Sequence, residues 1–142
     1  MTNNMQSSMK DKLIDINLSV IIMGNEVVAS LGFINTTSKK VYLDQQTICY
    51  GNEVRGNYFK IKNEKGKDVD YKGMLLCRDI NPEYFVMLNP NEKFETNINL
   101  SEVYELKKGK KYTIQYSTYH PSYLKEQELT KIESNIVEML YK

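Results

Sequence analysis

The amino-acid sequence predicts an all-β protein, an immunoglobulin-like Greek-key β-sandwich of about 7–9 antiparallel strands. Three observations support this prediction. Apolar residues recur at every second position, turn-forming residues interrupt them about every ten residues, and no helical pattern exceeds about two turns. A closed β-barrel is the alternative that fits the same pattern. We expect a single domain over residues 13–142, after a flexible polar segment over residues 1–12.

The first half of the chain contains two predicted hairpins. Gly24 and Asn25 separate two alternating runs and are typical of a tight turn, and Gly66 lies at the centre of a second turn. Between the hairpins, residues 44–57 are polar and predict a long connection. The predicted strands of this half cover residues 13–22, 27–35, 41–43, 59–62 and 69–71.

The second half contains the clearest period-two pattern, in which apolar and polar residues alternate over residues 94–100. Asn89 and Pro90 end the strand before it, and Gly109 opens the strand after it. Residues 118–133 are expected to form a long loop, with at most a single helical turn near its end. The predicted strands of this half cover residues 84–88, 94–100, 112–117 and 135–141.

Charge and composition argue against several classes of partner. Nineteen Lys and Arg against eighteen Asp and Glu leave a formal net charge of +1, so no strong field attracts nucleic acid or an anionic membrane. The lysines around Gly109 favour a solvated turn over a phosphate site; they are Lys107, Lys108, Lys110 and Lys111. Residues 1–12 contain no apolar run, so we expect neither a signal peptide nor a membrane span, and a cytoplasmic location.

The sequence offers little for catalysis. Its single histidine, His120, excludes an HExxH zinc motif within these residues, and no GxSxG nucleophile elbow occurs. Cys49 and Cys77 lack metal-binding spacing, and we interpret them as buried thiols rather than as a disulfide or nucleophiles. The carboxylates are dispersed over predicted turns and outward strand faces. We therefore predict that the chain is not an enzyme and needs no cofactor or metal.

Tyrosine is abundant, with eleven residues in 142, and three aromatic or imidazole side chains fall in the predicted long loop. Rigid, amphipathic tyrosines are common in binding surfaces. We predict that Tyr119, His120 and Tyr123 form a protein-binding surface on the loop spanning residues 118–129. The alternative is that these rings fold back over the open end of the sandwich.

A structural motif is predicted where the strand 112–117 begins. Leu106, Gly109 and Tyr112 have the spacing of a tyrosine corner, in which the hydroxyl of the tyrosine bonds to upstream backbone and holds the entry of the strand.

Short motifs in the second half also carry a family resemblance. Tyr71-Lys72-Gly73 is followed by YFVMLNPNE at 84–92, NLSEVYEL at 99–106, and Gly109 with Tyr112. Their order and spacing resemble the N-terminal, propeptide-like β-sandwich domain of the deuterolysins (aspzincins) and peptidyl-Lys metalloendopeptidases. The likeness extends over residues 13–142, with Asn35-Thr36-Thr37 where the family often has N-T-G.

This sequence also departs from the family. Asn91 stands where the family usually has glycine, Asn99 stands where it usually has aspartate, and these residues include no counterpart of the zinc protease domain. The resemblance implies the β-sandwich fold and descent from a domain that accompanies a protease. It implies no catalytic residue in this chain.

Two functions follow from the sequence. The leading hypothesis is a non-catalytic protein-interaction module, resembling a protease inhibitor or a chaperone, whose partner is another protein such as a protease. The alternative is an accessory β-domain that assembles through a sheet edge, including as a homodimer.

Overall fold

The computed structural model describes residues 12–76, 81–123 and 128–142, which form eight β-strands and three short 3-10 turns and include no α-helix. The all-β prediction is therefore confirmed. The strands are β1 (Asp15–Met23), β2 (Glu26–Ile34), β3 (Val41–Asp44), β4 (Phe59–Lys62), β5 (Phe85–Leu88), β6 (Lys93–Asn99), β7 (Lys110–Pro121) and β8 (Leu129–Tyr141). The 3-10 turns are Tyr50–Asn52, Pro82–Tyr84 and Leu100–Glu102. None of the described residues forms a helix long and apolar enough to cross a membrane.

The strands form three antiparallel sheets, with orders β1-β2-β6, β3-β5 and β4-β7-β8. The hairpin β1–β2 turns at Gly24, whose φ of 63° lies in the left-handed region where glycine is favoured. The predicted strand over residues 69–71 is wrong, because β4 pairs with β7 instead. The returning arm meets β4 at an isolated bridge between Lys62 and Asp68, and the Val69 N–H donates to the carbonyl of Ile61 at 2.8 Å.

The core lies between the two three-stranded sheets. Alternation in β1 and β2 directs one set of side chains inward, including Leu18 and Phe33. The ring of Phe33 meets the edge of Tyr116 from β7, with 5.7 Å between the ring centroids, so the two sheets share one apolar layer. Tyr116 is fully buried, and its hydroxyl donates to the backbone oxygen of Thr47.

A side-chain amide joins the two three-stranded sheets where no backbone ladder does. The pairing of β7 with β8 is irregular between Gln115 and Ser117, and Asn135 lies in the opposing stretch of β8. The amide of Asn135 accepts from the backbone N–H of Leu18 at 2.7 Å and donates to its carbonyl at 3.0 Å. Asn135 therefore satisfies both backbone groups of one β1 residue, as a neighbouring strand would.

A second amide, that of Asn35, holds the chain where β2 leaves its sheet. Its Nδ2 donates to the carbonyls of Lys39 and Leu88, at 2.8 Å and 2.9 Å. Its Oδ1 accepts from the backbone N–H and the hydroxyl of Thr37, at 2.9 Å and 2.7 Å. Asn35 is fully buried and fully bonded, and it ties the β2–β3 connection to the end of β5.

The turn after β5 explains one departure from the family pattern. Asn91 has a φ of 70°, and its backbone N–H donates to the carbonyl of Asn35 at 2.7 Å. Asparagine tolerates this left-handed conformation better than other non-glycine residues, so it can stand where the family usually has glycine.

The structure places Tyr112 at the start of β7, with its ring buried and its hydroxyl accepting from the backbone N–H of Lys107 at 2.8 Å. Gly109 has a φ of 84°, which lets the chain reverse between these two residues, and Leu106 is half-buried against the core. The Tyr112 hydroxyl is thus the hydrogen-bond acceptor for the backbone N–H of Lys107.

Replacing Asn35 with alanine should lower the free energy of unfolding by about 2–4 kcal/mol, because the Leu88 carbonyl and the Thr37 backbone N–H lose the Asn35 amide at a buried site. Equilibrium denaturation in urea measures this change. Thr36→Ala is the matched control, since the Thr36 hydroxyl donates only to the exposed Asp15 carboxylate. Equal effects of both substitutions would contradict the role given to Asn35.

Tyr112→Phe removes one hydroxyl and leaves the N–H of Lys107 without its acceptor. Because this N–H is only partly buried, we expect a loss of roughly 1 kcal/mol in the free energy of unfolding. A change below about 0.3 kcal/mol in the same denaturation assay would mean that the bond contributes nothing to the entry of β7.

Candidate protein-interaction surfaces

Most of the predicted long loop is strand. Residues 118–121 belong to β7 and pair with 129–132 of β8, which leaves only residues 122–128 as the connection, and 124–127 of these lie outside the described residues. The loop prediction is wrong because the side chains after Ser117 do not mark the end of β7. Backbone pairing with β8 continues past this point, whatever the side chains are.

His120 is buried, with 1% of its surface exposed, so the expectation of a surface histidine is wrong. Its Nε2 accepts the backbone N–H of Asp44 in β3 at 2.8 Å. Its ring also meets the ring of Phe85 edge-on, with 6.1 Å between centroids. His120 has the same strand parity as the buried Tyr116, and extending the alternation of β7 would have predicted its inward orientation.

The two tyrosines of the predicted surface differ in exposure. Tyr123 stacks on Tyr42 of β3, with ring centroids 4.1 Å apart and planes 8° from parallel, and is partly buried. Tyr119 is 59% exposed, and the ammonium of Lys131 lies 6.0 Å from its ring centroid. Of the three residues, only Tyr119 is mostly exposed, and its role in binding a protein stays a prediction.

Burial lowers the pKa of His120 to about 4, because the charged imidazolium loses its hydration, while the nearby Asp44 carboxylate opposes the shift. Asp44 is itself buried and accepts from the backbone N–H and the hydroxyl of Thr47, at 3.2 Å and 2.6 Å. The histidine therefore acts as a neutral acceptor that links β7 to β3.

Cys49 is a buried residue in a left-handed conformation, with a φ of 58°. Burial raises the pKa of its thiol to about 12, so the thiolate is scarce at neutral pH and nucleophilic reactivity is low. Cys77 lies outside the described residues. Within the described part of the chain, no three His, Cys, Asp or Glu side chains are grouped so as to hold a metal ion.

Residues 74–76 form a second exposed surface, which the sequence analysis did not predict as a site. Met74, Leu75 and Leu76 are consecutive apolar residues with 63%, 70% and 39% of their surface exposed. We call residues 74–76 the apolar segment. A run of three exposed apolar residues is unusual on a folded protein unless it has a function. The sequence signal was present as an apolar run without alternation, which resembles a buried strand.

Hydrogen bonds to the core hold the apolar segment in place. The backbone N–H of Leu76 donates to the carbonyl of Arg55 at 2.9 Å, and its carbonyl accepts from Gln46 Nε2 at 2.8 Å. At the other end, the Tyr71 hydroxyl donates to the carbonyl of Met74. The backbone is anchored at both ends while the apolar side chains face solvent.

Comparison with known proteins finds relatives that are named as neutral proteases, and it does not assign a family. No protein-family model matches the chain. It is 29% identical over 105 residues to a protein named probable neutral protease 2 homolog B of Trichophyton rubrum, which covers 72% of this chain and 28% of that protein. Proteins named probable neutral protease 2 homolog from Trichophyton verrucosum and Arthroderma benhamiae match at 29% identity, with 27% of their length covered.

The chain thus spans less than a third of the curated relatives it matches. The names of these relatives are compatible with the deuterolysin resemblance of the sequence.

The free energy of unfolding should fall as the pH falls from about 6.5 towards about 4, because the unfolded histidine then binds a proton and the buried one does not. The loss from this group should total about 3 kcal/mol. His120→Gln keeps an acceptor for the Asp44 N–H but does not titrate, so its stability should depend less on pH in this interval.

Denaturation of the parent and of His120→Gln at several pH values measures the difference between their free energies of unfolding. Carboxylates that both proteins share contribute equally to the two values, so their titration cancels in this difference. As the chain has one histidine, the NMR signal of its Cε1 proton gives the pKa directly. A midpoint near pH 6.5 would contradict the buried, neutral imidazole.

Proposed function

We propose that this chain is a non-catalytic protein-interaction module that binds a protease of the neutral protease 2 kind, as an inhibitor or a chaperone does. The observation that carries the proposal is the apolar segment, which combines exposed side chains with an anchored backbone. The names of the relatives support the choice of partner. A cytoplasmic location, and the exclusion of nucleic acid and membrane as partners, remain predictions from the sequence.

We also propose that the strands have an immunoglobulin-like Greek-key arrangement. The path of the chain supports this arrangement. The chain leaves the first three-stranded sheet after β2 and enters the second at β4. It then returns to the first sheet, where β6 pairs with β2, and ends in β7 and β8 of the second. Such crossing between two facing sheets is typical of this fold, and the contact of Phe33 with Tyr116 spans them. The propeptide-like domain of the deuterolysins is the proposed ancestry.

The environment of the two groups best suited to catalysis supports a non-catalytic role. The imidazole of His120 is buried and already accepts the N–H of Asp44, so it cannot reach a substrate without breaking that bond. The thiol of Cys49 is buried and has a raised pKa. Both groups contribute to packing instead.

Binding through the apolar segment has favourable energetics. Burying a leucine side chain contributes roughly 1.5–3 kcal/mol, and Leu75 is 70% exposed in the free chain. Because the hydrogen bonds of Leu76 already order the backbone, little conformational entropy is lost on association. The segment therefore suits an apolar cleft on a partner.

Leu75→Lys tests this role by placing a charge at the centre of the apolar segment. With a purified neutral protease 2 as the probe, we expect the parent chain to bind in biolayer interferometry and the variant to bind at least about tenfold more weakly. The melting temperature should change little, since most of the Leu75 side chain is already exposed in the free protein.

Leu129→Lys is the matched control, because Leu129 in β8 is 60% exposed and lies outside the segment. This control variant should bind the protease as the parent does. A further variant, Tyr119→Ala, tests the surface predicted from the sequence. Absence of binding by the parent would refute the protease as partner. Equal binding by Leu75→Lys would refute the apolar segment as the contact.

A further inference from the structure

The outer face of β7 and β8 is not a typical solvated sheet face. Cross-strand partners share a face, and Tyr112 with Met139 faces the core. The next pair along, Lys111 with Leu140, therefore faces outward. The outward residues of β8 are Ile136, Glu138 and Leu140, of which Ile136 is 64% and Leu140 41% exposed.

Strand β1 extends this face. The Asn135 amide bonds to Leu18, and the Tyr141 hydroxyl donates to the carbonyl of Asn25, so β1 and β8 run side by side in the same direction. The outward residues at this end of β1 are Ile21 and Met23, which are 53% and 58% exposed.

Four exposed apolar side chains thus lie on two adjacent strands. We call these four residues, Ile21, Met23, Ile136 and Leu140, the apolar stripe. Single exposed apolar residues are normal on a protein surface, whereas a contiguous group of this kind marks an interaction surface.

Charges of opposite sign flank the stripe. On the side of β4 and β7, three lysines face outward, namely Lys60, Lys62 and Lys111. On the other side Glu26 is paired with Met23 in the sheet register, and Glu138 lies within the stripe itself. Among the described residues, neither Lys111 nor Glu138 belongs to an ion pair.

We propose that this face is a homodimer interface, in which a second copy of the chain packs its apolar stripe on the first across a two-fold axis. An interface between identical copies must be complementary to itself. A face with lysines on one side and carboxylates on the other meets this condition, because the two-fold axis brings the basic side of each copy to the acidic side of its partner.

Glu138 specifies the pairing. Its carboxylate lies between Ile136 and Leu140. A partner that covers the stripe would therefore bury this negative charge unpaired, unless the partner also supplies a positive charge. Lys111 of the second copy provides that cation. The sequence predicted self-association through a sheet edge as an alternative function; this proposal places it on a sheet face, and it does not depend on binding a protease.

Sedimentation velocity over a range of concentrations tests the proposal. The parent chain should sediment as a dimer that dissociates on dilution. Ile136→Lys should remain a monomer at every concentration, with the melting temperature that the parent has when it is dilute enough to be monomeric. Leu75→Lys, an exposed leucine outside the stripe, should dimerise as the parent does. A monomeric parent, a dimeric Ile136→Lys or a monomeric Leu75→Lys would each overturn the proposal.

Charge exchange tests the two-fold pairing. Glu138→Lys and Lys111→Glu should each weaken the dimer at least about tenfold, since each places like charges opposite one another. The double variant restores opposite charges in every pair and should recover most of the parent's affinity. Failure of the double variant to recover it would refute the contact between Glu138 and Lys111.

Discussion

Buried backbone amides and carbonyls at the borders of three small sheets need hydrogen-bond partners, and side chains provide them. The Asn135 amide serves Leu18 in β1, and the His120 imidazole serves Asp44 in β3. The Asn35 amide serves Leu88 at the end of β5. Each bond replaces part of a missing backbone ladder, and together they let separate sheets share one core.

This constraint explains why several polar residues are unavailable for function. A buried imidazole that accepts a backbone N–H stabilises the fold only while it is neutral, which is why burial and the lowered pKa of His120 belong together. The hydroxyls of Tyr104 and Tyr116 are occupied in the same way, by groups of Phe59 and Thr47. Much of the polar chemistry of the chain therefore lies in its interior.

The two surfaces proposed for binding are apolar. The apolar segment and the apolar stripe are formed differently, one on a loop anchored to Arg55 and Gln46 and one on the outer face of two strands. Separate surfaces allow a dimer to present two copies of the segment to its surroundings. Two linked binding sites raise the effective concentration of the second contact once the first is made.

The amino-acid sequence by itself determined the strand content, because side-chain alternation is a local property: β1, β2 and β6 follow the predicted runs closely. It also indicated the turns, since Gly24 and Asn91 adopt left-handed backbone angles that their own residue types tolerate better than most others. It predicted the loop over residues 118–129 wrongly, because the length of β7 depends on its pairing with β8. Only the tertiary structure decided that His120 is interior and Leu75 exposed. The inward parity of His120 holds only if β7 continues past Thr118, which its pairing with β8 decides, and the position of Leu75 depends on residues such as Arg55 that are distant in the chain.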